Sequence, residues 1–301
     1  MQEALDGIEG LFSKRGIESA RANARMLVAH VLGIGLGQLA LVRDDVLGER
    51  AAAELEELAA RRAEGEPLQY VVGSAPFRYL ELEARPGVFI PRPETEVVVQ
   101  AALDRIAGVG EPRVLDLCCG SGTIAVSVAS ERADALVTAV DMSAEAVALT
   151  GRNAELAGVA ARVDVREGDL FAALTPDGDG ELAAGSAAED RTLPGGLFDL
   201  VISNPPYIPT AKIAAMPDEV TAWEPMLALD GGEDGLDTFR RIVDGVGEWL
   251  RAGGWLVCEL DEDMVGEAAR LLREDGRFAD VAEIEDLTGR PRAVIARLIP
   301  C

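Results

Sequence analysis

The stretch Val114-Leu115-Asp116-Leu117-Cys118-Cys119-Gly120-Ser121-Gly122-Thr123 decides the predicted fold of this chain. It predicts an apolar strand, a turn with two glycines and the start of an apolar helix. Gly120 and Gly122 let the backbone come close to a ligand, and the following helix begins with free N–H groups. Alone the segment is a weak nucleotide-binding signal, because it lacks the G-x-G-x-x-G spacing and the P-loop lysine. We call residues 118–122 the glycine loop.

Strands and helices alternate from Arg113 onward. Predicted strands cover residues 114–117, 137–140, 163–166, 198–203, 255–260, 281–284 and 294–298, and predicted helices cover 123–130, 144–157, 238–250 and 263–275. This alternation is typical of an α/β domain with a mostly parallel sheet covered on both faces. The polar, glycine-rich residues 175–196 lack periodicity and predict a mobile surface insertion.

The next two strand ends extend the pattern of the glycine loop. Asp141 ends a strand nineteen residues after Gly122, where its carboxylate can accept both hydroxyls of a ribose. Asp169 and Leu170 end the third strand with the acid and the apolar residue that adenine recognition requires. This ordered set resembles the S-adenosylmethionine-dependent methyltransferase fold, a Rossmann-like α/β fold with a seven-stranded, mostly parallel sheet. The alternative is an ordinary α/β domain in which these residues only form turns.

The fourth strand ends in Asn204-Pro205-Pro206-Tyr207, which we call the amide motif. Two prolines cannot donate to a sheet ladder, so an amide, rigid carbonyls and an aromatic ring remain at the strand end, where open α/β sheets bind ligands. These groups suit a planar substrate that carries an NH2. The hypothesis is that Asn204 Oδ1 and the Pro205 carbonyl accept its two N–H bonds while Tyr207 packs on its plane. No dedicated base is evident, and a proline-terminated strand end without a role is the alternative.

The residues before the α/β region predict two smaller parts. Residues 1–70 predict a helical domain, with a first helix that ends at Gly16, a second between Ser19 and Gly33, and a third over 45–63. Residues 71–92 predict a β-hairpin connector, and residues 93–301 the catalytic domain. The strands expected around the connector are residues 70–73, 77–82 and 88–90.

Arg92 lies between two prolines, and Glu94 precedes a predicted helix over residues 95–106. Prolines on both sides hold the arginine in an extended loop. The hypothesis is that Arg92 and Glu94 line the rim of the site, and the alternative is a rigid linker.

Composition narrows the possible functions. The formal charge of −25, with Lys14 and Lys212 as the only lysines, argues against broad nucleic-acid binding. Cys118 and Cys119 are adjacent and His30 is the only histidine, so no metal site is expected. No apolar run is long enough to span a membrane and no signal peptide is recognisable, which predicts a cytoplasmic protein.

Further segments make the resemblance narrower. They are Pro67-Leu68-Gln69-Tyr70-Val71-Val72-Gly73, Ile90-Pro91-Arg92-Pro93-Glu94-Thr95-Glu96, Glu224-Pro225-Met226-Leu227-Ala228-Leu229-Asp230-Gly231-Gly232, Gly235-Leu236-Asp237 and Leu287-Thr288-Gly289-Arg290-Pro291-Arg292. With the amide motif, they resemble the peptide-chain-release-factor glutamine N5-methyltransferases of the HemK/PrmC type. The resemblance runs from about residue 67 to residue 298, and the helical unit has the size and place of the domain that helps these enzymes engage the release factor.

The resemblance implies methyl transfer from S-adenosylmethionine to the glutamine of a Gly-Gly-Gln segment in a release factor. The implied cofactor residues are Asp116, Cys118, Cys119, Gly120, Ser121, Gly122, Asp141, Asp169, Leu170 and Asn204. The implied catalytic residues are Asn204, Pro205 and Tyr207, and the implied substrate-binding residues are Asn204, Pro205, Pro206, Tyr207, Arg92 and Glu94.

Some positions depart from the family pattern, and two other functions stay open. Cys118 stands where many members have glycine, and Leu170 stands where many have a larger residue. Glu259-Leu260-Asp261 replaces the more usual Glu-Ile-Gly, so Asp261 stands in place of the glycine. The first alternative function is methylation of an exocyclic amino group of adenine or guanine in nucleic acid, whose geometry the same acceptors fit. The second is a non-catalytic paralogue that binds the cofactor.

Overall fold

The computed structural model describes residues 1–175 and 197–300. The chain divides into two compact units, one of Met1–Ser74 with Pro217–Trp223 and the other of Ala75–Met216 with Glu224–Cys301. Apart from Thr175, the predicted insertion at 175–196 lies outside the described residues. Within the described ranges, no helix is long and apolar enough to cross a membrane, and no group of histidine, cysteine, aspartate and glutamate side chains is arranged to hold a metal ion.

The helices are α1 (Gln2–Lys14), α2 (Ala20–Leu32), α3 (Glu49–Ala63), α4 (Leu68–Val72), α5 (Thr95–Arg105), α6 (Thr123–Glu131), α7 (Ala144–Leu156), α8 (Thr210–Ile213), α9 (Asp218–Thr221), α10 (Asp237–Val246) and α11 (Glu262–Asp275). The strands are β1 (Ser74–Phe77), β2 (Leu80–Glu83), β3 (Arg113–Leu117), β4 (Leu136–Asp141), β5 (Val163–Glu167), β6 (Phe198–Ser203), β7 (Leu250–Glu259), β8 (Phe278–Glu285) and β9 (Pro291–Leu298). Short 3-10 turns cover Leu36–Ala40, Ala160–Arg162, Leu170–Leu174 and Met226–Ala228.

The first unit is helical, as its apolar spacing predicts. Phe12 and Leu27 are fully buried where α1, α2 and α3 share one apolar core. Gly33 ends α2 in the left-handed region, with φ 63°. The predicted strand at 70–73 is wrong, because residues 68–72 form α4. Its Leu68 and Val71, one helical turn apart, both pack into that core.

The second unit contains a seven-stranded sheet of order β5-β4-β3-β6-β7-β9-β8. Strands β3 to β7 pair in parallel, whereas β9 pairs antiparallel with β7 and β8. All six residues of β6 are buried. Apolar side chains form two large buried clusters in this unit, which agrees with a sheet covered on both faces. The predicted mostly parallel α/β fold is confirmed.

Several elements in this unit differ from the prediction, among them the strand predicted over 77–82, which a turn at Arg78-Tyr79 divides. Strand β7 begins at Leu250, which pairs with Phe198, so the predicted helix over 238–250 ends early, at Val246. The predicted strand at 88–90 is absent from the described chain. The side chain of Val88 packs on α7, and the Ile90 N–H donates to the Glu224 carboxylate instead of to a strand. The connector does contain a two-stranded sheet, formed by β1 and β2.

The sheet order places the site. From β3 the chain moves outward to β4 and β5, and from β6 it moves the other way to β7. Neighbouring strands β3 and β6 therefore form a topological switch point, where open α/β sheets bind ligands at the carboxyl ends of the strands. The glycine loop follows β3 and the amide motif follows β6.

Candidate active site

The glycine loop is tied to the end of β4 and to α7. The Gly120 N–H donates to Asp141 Oδ2 at 2.8 Å, and the Ser143 N–H donates to Asp141 Oδ1 at 3.0 Å. The Thr150 hydroxyl donates to the Gly120 carbonyl at 3.0 Å. Burial raises the pKa of the Asp141 carboxyl, while its backbone hydrogen bonds lower that pKa. The loop and the predicted ribose acceptor are thus one preassembled structure.

The inner part of the loop explains both Gly122 and Asp116. A Cβ on Gly122 would lie 2.9 Å from Thr150 Cγ2, and the residue has φ 78°. Asp116 is fully buried, and its Oδ2 accepts from the Ala125 N–H in the first turn of α6 at 3.0 Å. Burial raises the pKa of this carboxyl well above its usual value, and its other oxygen has no partner. Asn153 donates to the Ser121 carbonyl at 2.9 Å and closes the loop from α7.

These residues fit S-adenosylmethionine. A Cβ on Gly120 would meet nothing within 4 Å, so open space lies beside the loop backbone. Asp141 is half-buried, so a ligand can approach its carboxylate. One Asp116 oxygen, buried without a partner, is an acceptor that the loop itself does not satisfy.

The adjacent cysteines have different surroundings but the same ionisation state. Cys118 adopts φ 60°, a left-handed conformation in which glycine is favoured. The Cys119 sulfur lies 3.4 Å from the Thr150 hydroxyl. Burial raises the pKa of both thiols and that of Cys258. All three are protonated thiols at neutral pH, which is a poor state for nucleophilic or redox chemistry.

The end of β5 holds the residues predicted for adenine. The Gly168 N–H donates to the Asp141 carbonyl at 2.9 Å, which ties this strand end to the ribose acceptor. Leu170 is buried in the core with φ 49°. The Asp169 carboxylate pairs with Arg241 at 2.6 Å, and both side chains are about half exposed.

The amide motif follows β6, which pairs with β3, the strand that leads into the glycine loop. Asn204 Nδ2 donates to Thr95 Oγ1, the first residue of α5, at 3.4 Å. Pro205 is buried, whereas Asn204, Pro206 and Tyr207 are partly exposed. Burial, followed by the nearby charge of Glu259, raises the pKa of the Tyr207 hydroxyl, which is therefore no base at neutral pH.

Two glycines of the 230–237 segment pack directly against the backbone of the amide motif. A Cβ on Gly231 would lie 2.7 Å from Tyr207 Cα, and one on Gly235 would lie 2.3 Å from the Tyr207 carbonyl oxygen. The Ile208 N–H also donates to the Leu229 carbonyl at 2.9 Å. Only glycine permits this close backbone approach, which places the Tyr207 ring.

The two predicted rim residues have different partners. Arg92 forms an ion pair with Glu224, a buried carboxylate, and its guanidinium lies 4.7 Å from the centre of the Phe89 ring. Arg92 thereby joins the 90–96 segment to the 224–232 segment. Glu94 occupies the N-cap position of α5 without a side-chain capping bond.

Comparisons with known proteins agree with this geometry. The family model described as the PrmC N-terminal domain matches residues 3–73, and the one described as the methyltransferase small domain matches residues 80–219. A release factor glutamine methyltransferase from Geobacter sulfurreducens is 40% identical over 99% of this chain and 96% of its own. The one from Streptomyces coelicolor is 41% identical over 94% of this chain and 92% of its own. This chain belongs to the release factor glutamine methyltransferase family.

A solved structure supports the fold of this family member. The crystal structure of the hMettl16 catalytic domain in complex with the MAT2A 3'UTR hairpin 6 has a TM-score of 0.53 and 14% identity, and the match covers 84% of each chain. At that identity the likeness shows the fold alone.

Four residues of this methyltransferase-family site have no predicted role from sequence. Thr95 lies in the 90–96 segment and Glu259 lies two residues before the departure at Asp261, but neither pattern predicts a role for these side chains. Thr150 and Asn153 carry no signal, because each is an unremarkable polar residue within helix α7. The departure at Asp261 has a structural reason, since its carboxylate caps α11 by accepting from the Asp263 N–H at 3.1 Å.

Proposed function

We propose that this protein transfers a methyl group from S-adenosylmethionine to the side-chain amide nitrogen of a protein glutamine, the glutamine of a Gly-Gly-Gln segment in a release factor. Membership of the family supports a release factor as the substrate. The observation that carries the chemistry is the contact of Asn204 Nδ2 with Thr95, because it leaves Asn204 Oδ1 as a free acceptor beside Pro205.

The residues that would hold the cofactor lie on three strand ends. The glycine loop would pass along the methionine part, Asp141 would accept the ribose hydroxyls, and Leu170 with Asp169 would border the adenine. S-adenosylmethionine supplies an electrophilic methyl group on a positively charged sulfur. A carboxylate at the edge of the site and a strongly acidic chain favour that positive charge.

The amide motif overcomes the low reactivity of the glutamine nitrogen. An amide nitrogen is a poor nucleophile because its lone pair is shared with the carbonyl. Asn204 Oδ1 and the Pro205 carbonyl accept the two N–H bonds, which aims the lone pair and favours a pyramidal nitrogen. Tyr207 packs on the amide plane, and the proton leaves to water after transfer. Such alignment of two reactants is worth about 7–11 kcal/mol.

The rival substrate is an exocyclic NH2 of a nucleobase, which the same acceptors fit. The net charge of −25 opposes a polyphosphate chain, and family membership favours a protein. The proposal includes the remaining roles: residues 1–70 engage the release factor, Arg92 and Glu94 border the substrate, and the reaction takes place in the cytoplasm, where release factors meet ribosomes.

A labelled-methyl transfer assay tests this function. The enzyme is incubated with tritium-labelled S-adenosylmethionine and, in separate reactions, a release factor, total RNA and genomic DNA. We expect label on the release factor and none on nucleic acid. A release factor whose Gly-Gly-Gln glutamine is changed to glutamate is the matched control and stays unlabelled. Label on RNA or DNA alone would replace the proposal with the nucleobase reaction.

A further inference from the structure

We propose that Thr95 and Glu259 are positioning residues that hold the Asn204 amide in the one orientation that presents its oxygen to the substrate. This inference rests on the proposed function. Asparagine has a donor and an acceptor at the end of a nearly symmetric side chain, so a flip by half a turn exchanges them. Flipped, Asn204 would present NH2 to the NH2 of the substrate, and the two donors would repel.

The sheet brings Asn204 and Glu259 together, and helix α5 supplies Thr95. Ser203 of β6 pairs with Cys258 of β7, so Asn204, which follows β6, lies beside Glu259, the last residue of β7. Thr95 begins α5, and its N–H donates to the Arg92 carbonyl at 3.1 Å, which fixes the start of this helix. Thr95 is 2% exposed and Glu259 is 1% exposed, so water does not compete for their polar atoms.

The hydrogen bonds among them have one direction. Thr95 lowers the pKa of the Glu259 carboxyl, which is the effect of a hydroxyl that donates toward a carboxylate. Having given its only proton to Glu259, Thr95 Oγ1 is an acceptor toward Asn204, and Asn204 Nδ2 donates to it. Through Thr95, the carboxylate therefore favours the orientation in which the Asn204 NH2 points away from the substrate.

The protonation of Glu259 controls this direction. The pKa of its carboxyl is raised to about 7, and burial is the largest cause. The charge of Glu94 also raises this pKa, whereas Thr95 and the charges of Arg292 and Arg92 lower it. Its Oε2 is buried without a partner. A proton on Glu259 makes it a donor toward Thr95. The Thr95 hydroxyl then turns toward Asn204 and favours the flipped amide. Turnover is thus expected to fall as the pH drops through about 7.

Substitution of Thr95 tests the relay. Thr95→Val keeps the shape but removes the hydroxyl, and Thr95→Ser keeps the hydroxyl. Thr138→Val, at a buried threonine of β4 outside the site, is the matched control. We expect Thr95→Val to lower kcat roughly tenfold, the cost of one lost hydrogen bond, with less change in KM for the release factor. Thr95→Ser and Thr138→Val stay near wild type.

The pH profile separates positioning from a general structural role. Wild-type kcat should fall below about pH 7, and both Thr95→Val and Glu259→Gln should flatten this fall. Equal kcat for wild type and Thr95→Val, or an unchanged pH profile in Glu259→Gln, would overturn the relay. If Thr95→Val does not fold, the profiles of Glu259→Gln and Thr95→Ser decide alone. Failure of the proposed function is distinct, since the wild-type enzyme would then not methylate the release factor.

Discussion

The two sides of the candidate site are held in different ways. On the donor side, at the ends of β3 and β4, backbone N–H groups of Gly120 and Ser143 fix the Asp141 carboxylate. On the acceptor side, at the ends of β6 and β7, a 3.4 Å hydrogen bond to Thr95 holds the Asn204 side chain. The reactive carboxylate of the donor side is thus held by nearby backbone N–H groups, whereas the reactive amide of the acceptor side is held by a side chain from a distant part of the chain.

The largest effect is expected from a substitution on the acceptor side. Asn204→Ala removes one of two acceptors that align the substrate nitrogen, so kcat should fall by roughly a hundredfold or more. The affinity for S-adenosylmethionine should change far less, because the donor side keeps its own bonds. Kinetics on a release factor and calorimetric titration of the cofactor measure the two effects. Near-normal turnover in Asn204→Ala would remove the amide motif from the mechanism.

The second effect concerns the energetic cost of the acceptor side. Because Glu259 has a folded pKa of about 7, above its ordinary value of 4.5, the folded protein resists ionising this group while the unfolded chain does not. The contribution of Glu259 to the unfolding free energy is thus lost as the pH rises from about 4.5 to about 7. Above pH 7 no further loss comes from this group.

Glu259→Gln lacks this titration. Its advantage over wild type in unfolding free energy should therefore increase by about 2–3 kcal/mol from about pH 5 to about pH 8. Urea unfolding at both pH values measures the difference. The same gain at both pH values would mean that Glu259 does not titrate in this range.

The third effect disturbs the donor side. A Cβ in Gly122→Ala meets Thr150, the residue that holds the Gly120 carbonyl. Stability should fall by about 1–3 kcal/mol and cofactor affinity should weaken, with kcat at saturating cofactor less affected. Gly151→Ala, in α7 with open space around it, is the matched control and should stabilise by about 0.5–1 kcal/mol. Thermal unfolding and calorimetry distinguish the two variants.

The smallest effect tests the family departure at Cys118. Its φ of 60° costs a non-glycine residue about 1 kcal/mol, and its side chain packs partly against the core. Cys118→Gly should therefore change stability by less than about 1 kcal/mol and leave cofactor affinity unchanged. A large loss of affinity would show that the thiol itself contributes to binding.

The donor side was predictable from sequence because its determinants are local. The glycine loop is one continuous segment, and the seven strands follow from apolar runs between turn residues. The amide motif was visible for the same reason. Helix α4 was missed because five residues give too short a period to separate helix from strand, and packing of Leu68 and Val71 decided it.

The supports of the acceptor side were not predictable. Thr95 precedes Asn204 by 109 residues, and Glu259 follows it on another strand. Strand register brings Asn204 next to Glu259, and the packing of helix α5 on the sheet brings Thr95 to them. The ion pair of Arg92 with Glu224 is likewise a tertiary contact, so a sequence pattern identifies both segments without pairing them.

The most direct test of the central claim is tandem mass spectrometry of a release factor incubated with this protein and S-adenosylmethionine. The account predicts a gain of one methyl group, located on the side-chain amide of the Gly-Gly-Gln glutamine, and its loss in a parallel reaction with Asn204→Ala. An unmodified glutamine after incubation with folded, cofactor-binding wild-type protein would contradict the account, as would a methyl group at another residue.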